Sequence, residues 1–310
     1  MAMKFLARST RMPLPIALVL SAVVLCGWIP AFMAQDWRLV LPTMLLAVLN
    51  AFVFWGFTIQ TKLVSLREWD GLPIFIYLLS ATACTQYATY WQGQVAVLGG
   101  LIVLYGLQRC FREEEPTETA FLSSLLLCLC SLVLPDMVWL IAVLWVAFMI
   151  LHCFGLRVWL ATLIGASVFA VYFLIALYFG WIDNVYGALF VRRWLFGGAM
   201  WWREIATAVV IMLAIVYGIG AMLRVDRDST NQQNSLLLFV LLFVVCAGLS
   251  LAPMSCSAFA ICHSMMPMLC LVYVGLAVLY FRQEESIARG VWYWLSIVLL
   301  IGCYVLNLML

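Results

Sequence analysis

Apolar residues in this chain run on without interruption, where a soluble domain would show alternating or one-faced patterns. A helix rises 1.5 Å per residue and needs about 20 apolar residues to cross a hydrocarbon core about 30 Å thick. Eleven runs approach that length: 13–34, 39–60, 71–91, 93–108, 119–134, 137–154, 158–181, 206–223, 235–253, 258–281 and 290–310. They predict an all-α fold, a polytopic transmembrane helix bundle of about 11 spans, forming a single domain over residues 1–310. The fourth and fifth runs are short, which leaves ten spans with one re-entrant hairpin as the variant. Links between runs are brief, so neighbouring helices should pair as antiparallel hairpins. In one such link Pro135 and Asp136 make the turn, with Asp136 expected to cap the helix that follows.

Orientation follows from the basic residues, because Lys and Arg are retained on the cytoplasmic side. With the N-terminus inside, the cytoplasmic segments hold Lys4, Arg8, Arg11, Lys62, Arg67, Arg109, Arg112, Arg157, Arg224, Arg227, Arg282 and Arg289. Only Arg38, Arg192, Arg193 and Arg203 of the 16 basic residues fall outside. An odd number of spans then puts the C-terminus outside. The first run follows Lys4, Arg8 and Arg11 as in a secretory signal, but it exceeds the apolar core of such a signal, about 7–15 residues. Phe32 also stands where a cleavage site needs a small residue, so an uncleaved first span is expected. Glu113, Glu114, Glu115 and Glu118 read as a solvated cytoplasmic linker.

Composition narrows the classes of function. The chain is 67% hydrophobic and 10% charged, with a mean hydropathy of +1.12. Soluble domains carry about 25% charged residues, so a membrane is the required solvent. A net charge of +2, with no basic cluster, excludes nucleic acid as a partner and leaves membrane lipids. The 11 cysteines include no Cys-x-x-Cys pair, and no zinc site or disulfide framework is readable. Cys128 and Cys130 point in different directions on a helix and are expected to pack. Gly-rich phosphate loops, Gly-x-Ser-x-Gly elbows and His-Glu-x-x-His pairs are missing, and no cofactor is implied.

Residues 182–204 form the longest external link. Arg192 and Arg193 interrupt apolar residues and Trp194, and Trp201-Trp202-Arg203-Glu204 follows a glycine pair. Such a segment suits the headgroup layer, with arginines snorkelling to phosphates. Guanidinium groups also hold phosphate through a planar, bidentate fork, which makes Arg192, Arg193 and Arg203 the candidate lipid-phosphate ligands. A carboxylate base beside them, Asp36 or Asp183, would complete the parts for transfer from a polyprenyl-phosphate carrier. The first external loop, only Gln35 to Arg38, is short for a glycosyltransferase of that type.

The stretch from Met254 into the tenth run gathers Met254, Cys256, Cys262, His263, Met265, Met266, Met268 and Cys270. Thioether, thiolate and imidazole suit Cu(I), yet Met and Cys are also adaptable apolar fillers. Met265, Met266 and Met268 are expected to pack, and no metal site is assigned. His263 is expected to make a polar contact inside the bundle, as are Asn50, Gln86 and Asn307. No run carries an Asp, Glu, Lys or Arg near its centre, which argues against a proton pump or voltage sensor.

The stretch from Thr119 to Tyr178 contains Phe121, Ser131-Leu132, Pro135, Trp139 and Trp145. Phe154-Gly155-Leu156-Arg157-Val158-Trp159 then leads into Leu163-Ile164-Gly165. This pattern, with His263 and Pro267 in the tenth run, resembles Bacteroidota inner-membrane proteins of about this length that carry a domain of unknown function. The resemblance implies a multi-pass envelope protein of the bacterial inner membrane and transfers no catalytic residue. The expected role is engagement of an anionic, polyprenyl-phosphate-type lipid at the outer leaflet. A polyprenyl-linked glycosyltransferase and a small-solute or soft-metal transporter are the alternatives.

Overall fold

Among the described residues every apolar run carries a helix. A computed structural model describes residues 12–61, 70–85, 88–110, 116–153, 155–180, 202–223, 230–251, 265–281 and 287–309. Its helices are α1 (Leu14–Cys26), α2 (Ile29–Ala34), α3 (Trp37–Gln60), α4 (Leu72–Ala83), α5 (Trp91–Cys110) and α6 (Thr117–Val133). They continue with α7 (Leu140–Ile150), α8 (Leu156–Tyr178), α9 (Trp202–Leu223), α10 (Thr230–Leu251), α11 (Met266–Phe281) and α12 (Ile287–Met309). Among the described residues four segments are long and apolar enough to cross a membrane: Leu14–Ala34, which joins α1 to α2, and α3, α5 and α8. Seven shorter apolar helical stretches of 10–17 residues accompany them.

Contacts between elements fix the direction of the helices. Pro13 and Asp70 form an antiparallel bridge, and the Gly71 N–H donates to the Met12 carbonyl at 2.9 Å, so α1 and α4 start together. At their far ends Trp28 Nε1 donates to Thr82 Oγ1 at 3.0 Å. The Tyr304 hydroxyl donates to the Gly27 carbonyl at 2.8 Å, so α12 runs the same way. Trp55 Nε1 reaches the Asp70 carbonyl at 3.0 Å, which ends α3 at the Asp70 end.

The other helices follow the same alternation. Ala88 clusters with Val40 and Ala47 and Gln94 meets Asn50, so α5 runs parallel to α3. Gly99 lies against Cys130 and Gly106 against Thr119, which makes α6 antiparallel to α5. Cys153 Sγ meets the Cys110 carbonyl at 3.2 Å, so α7 ends and α8 begins at the Asp70 end. Tyr217 stacks on Trp292 with ring centroids 5.9 Å apart, which makes α9 antiparallel to α12. Gln108 Nε2 donates to Ser235 Oγ at 2.7 Å, placing the start of α10 at the Asp70 end. Cys270 beside Cys84 starts α11 at the opposite end.

Burial separates an inside from an outside. All twelve residues of α4 are buried, and α11 is buried from Met268 to Tyr280, so these two helices fill the interior. At 1.5 Å per residue α4 is about 18 Å long, short of a hydrocarbon core. On α8 the buried residues are Val158, Thr162 and Gly165, a single stripe at helical spacing. Gly165 on that stripe sits against Ser124 and Phe121 of α6.

Three expectations about element boundaries change. The third run is helical only to Ala83, where Cys84 turns back on Ala81 and the Thr82 hydroxyl bonds the Leu78 carbonyl. The short fourth run becomes a 20-residue helix, because Gln94 and Gln108 find partners across helices and are tolerated. Asp136 lies inside a 3-10 turn, Pro135–Trp139, and Trp139 is the N-cap of α7, so Asp136 does not occupy the cap position.

Candidate functional site

Asp36 is the N-cap of α3, and its Oδ1 accepts the Arg38 N–H at 3.0 Å. Beside it the Arg38 guanidinium lies 5.8 Å from the Trp37 ring centroid. Asp36, Trp37 and Arg38 are all exposed. Helix α9 opens at Trp202, so Arg203 belongs to its first turn, at the same end of the bundle as Asp36. Asp183, Arg192, Arg193 and His263 lie outside the described residues, as do Gln86 and all of the segment 182–204 except its last three residues.

The interior carries a neutral polar cluster that joins three helices. Asn50 of α3 is completely buried, and its Nδ2 donates to the Gln94 carbonyl at 2.9 Å and to Gln94 Oε1 at 3.0 Å. The Tyr77 hydroxyl of α4 donates to the same Oε1 at 3.0 Å. Asn50 Oδ1 has no partner. The expected interhelical role of Asn50 is what the structure shows. Its partners Gln94 and Tyr77 were not anticipated, because polarity alone does not say which helices will touch.

Asp70 opens Asp-Gly-Leu-Pro, a helix-start signature that gives no sign of a second partner. Its Oδ1 accepts the N–H groups of Leu72 at 3.0 Å and Met12 at 3.3 Å. This carboxylate therefore ties the start of α1 to the start of α4.

Met265, Met266 and Met268 are fully buried, and the Met268 methyl lies against Gly100, an arrangement of packing residues. Cys128 and Cys130 are buried as well. Cys270 instead faces Cys84 across the interior, with sulfurs 3.8 Å apart. A cavity of about 30 Å³ is lined by apolar side chains including Val103, Leu107, Leu127, Leu144, Leu238 and Met268. Although it has room for a water, that lining offers no hydrogen-bond partner. Among the described residues no three His, Cys, Asp or Glu side chains converge on a metal position. No charged side chain is buried among them either.

Helices of this length, apolarity and burial pattern define a multi-pass α-helical membrane protein with a neutral polar cluster inside its bundle. Compared with protein-family models, curated proteins and solved structures, the chain matches none.

Proposed function

We propose that this is an inner-membrane protein of the bacterial envelope that crosses the bilayer eleven times, N-terminus cytoplasmic and C-terminus outside. Arg192, Arg193 and Arg203 hold the phosphate of an anionic, polyprenyl-phosphate-type lipid at its outer leaflet. The eleven crossings are supported by the alternation of the apolar helices between two ends. Short α4 is compatible with this count, since non-helical backbone is tolerated at membrane depth where protein covers it. Retention of basic residues on the cytoplasmic side makes the Asp70 end the inner one. The location is read from the pattern of the sequence, which resembles that of Bacteroidota inner-membrane proteins.

One observation carries the lipid reading. Helix α8 packs on α6 through one buried stripe and leaves most of its surface uncovered by protein, and it ends with Tyr178 at 86% and Phe179 at 61% exposure. Aromatic residues in that position mark the headgroup level. These exposed aromatics support a link that starts in the headgroup layer, with Arg203 in the first turn of α9. Lipid binding needs nothing more, whereas glycosyl transfer needs a carboxylate base. Asp36, one of the two candidates, is already engaged as a helix cap.

The test is Arg192→Lys with Arg193→Lys. Lysine keeps the charge and snorkels as arginine does, but it lacks the bidentate fork. Losing one charge-assisted hydrogen bond costs about 1.5–3 kcal/mol, which is roughly tenfold in affinity or more. Native mass spectrometry of the purified variant is expected to show depleted polyprenyl-phosphate-type lipid at unchanged membrane expression. Bound lipid equal to wild type would reduce the segment to an interfacial anchor.

A further inference from the structure

Cys84 follows the last turn of α4, and Cys270 lies in the second turn of α11. These are the two enclosed helices, and the thiols meet in the interior where α4 ends. Their sulfurs are 3.8 Å apart, exposure is 9% at Cys84 and 3% at Cys270, and both are free thiols. Two sulfurs on opposed helices provide the donor set that soft ions select. If a bridging ion kept metal–sulfur distances near the about 2.3 Å of a zinc thiolate, a linear arrangement would need sulfurs about 4.6 Å apart. Reaching that separation requires an opening of about 0.8 Å.

We propose that Cys84 and Cys270 form a two-coordinate site for a soft monovalent cation, of the Cu(I) or Ag(I) kind, between α4 and α11. Charge selects the ion. One thiol releases its proton to solvent as its sulfur–metal bond forms, and the other binds through a lone pair with its proton retained. Nothing is oxidised or reduced, and cation plus thiolate add no net charge to an interior that holds no charged side chain among its described residues. A hard divalent ion would need oxygen ligands and would leave uncompensated charge in a low-dielectric interior. The methionines of the same region are packing residues and not part of the site.

The experiment loads the purified full-length protein with Cu(I) under anaerobic conditions and then competes with a Cu(I) chelator. Wild type is expected to retain about one chelator-resistant Cu(I) per chain, as two soft donors would provide. Cys84→Ser and Cys270→Ser should each abolish retention. Cys246→Ser, which removes a buried thiol of α10, should keep it, and so should the Met265→Leu, Met266→Leu, Met268→Leu triple variant. No resistant Cu(I) in wild type, or full retention in either central serine variant, overturns the site. Should a serine variant fail to fold, X-ray absorption on loaded wild type decides. A shell of two sulfurs supports the proposal, and a shell containing nitrogen or three sulfurs overturns it.

Discussion

Asn50 shares its amide hydrogens between two acceptors on Gln94 while its own carbonyl has no partner. Exchanging its oxygen and nitrogen would set the carbonyl against both Gln94 acceptors, so the orientation follows from the network. The cluster is polar enough to hold α3, α4 and α5 in register and neutral enough to sit in an apolar interior. Interhelical hydrogen bonds in membrane proteins are worth about 0.6 kcal/mol on average and 1–2 kcal/mol in model peptides. Asn50→Leu is accordingly expected to cost about 1 kcal/mol and to lower the melting temperature in detergent by a few degrees. A double-mutant cycle with Gln94→Leu isolates the pair, since residues in contact show non-additive effects. Strict additivity would mean that the bond between them contributes nothing.

At the level of whole helices, the contact between α6 and α8 depends on the absence of a side chain. A Cβ on Gly165 would collide with Ser124 Oγ and lie 2.6 Å from the Phe121 carbonyl oxygen. A backbone oxygen cannot turn aside, so Gly165→Ala must push α8 away from α6. Overpacking of this kind costs about 1–3 kcal/mol. Gly248 of α10 has nothing within 4 Å of its Cβ position, and Gly248→Ala is expected to be neutral or mildly stabilising. Thermal unfolding of both variants checks the contrast, and equal melting temperatures would show that α8 is not seated on Gly165. Element existence was legible in the chain because an apolar run about 20 residues long has few alternatives to a helix. The end of α4 was not, because Cys84, Thr85 and Ala88 are apolar or small enough to continue a helix. There the backbone tightens to i−3 bonding, the Cys84 N–H donating to the Ala81 carbonyl. The thiol pair was equally hidden, since Cys84 and Cys270 are 186 residues apart and only the packing of α4 on α11 brings them together.

Over the whole molecule, the relation between the two termini rests on contacts rather than on a count of spans. Pro13 and Asp70 meet at one end, whereas Trp28 meets Thr82 and Tyr304 meets Gly27 toward the other. Helices α1, α4 and α12 are therefore parallel, and the chain leaves α12 at the end opposite to the one where it enters α1. This holds whether or not α4, about 18 Å long, is counted as a full crossing. Which end faces the cytoplasm is a separate matter, decided by the basic residues. Alkaline phosphatase fused after Leu310 should be active, and the same enzyme fused after Thr61, where α3 ends beside Asp70, should be inactive. Reversal of both results would keep the helix directions and overturn the charge-based orientation. Equal activity at the two sites would place both in one compartment, and the parallel packing of α12 with α1 would then be wrong.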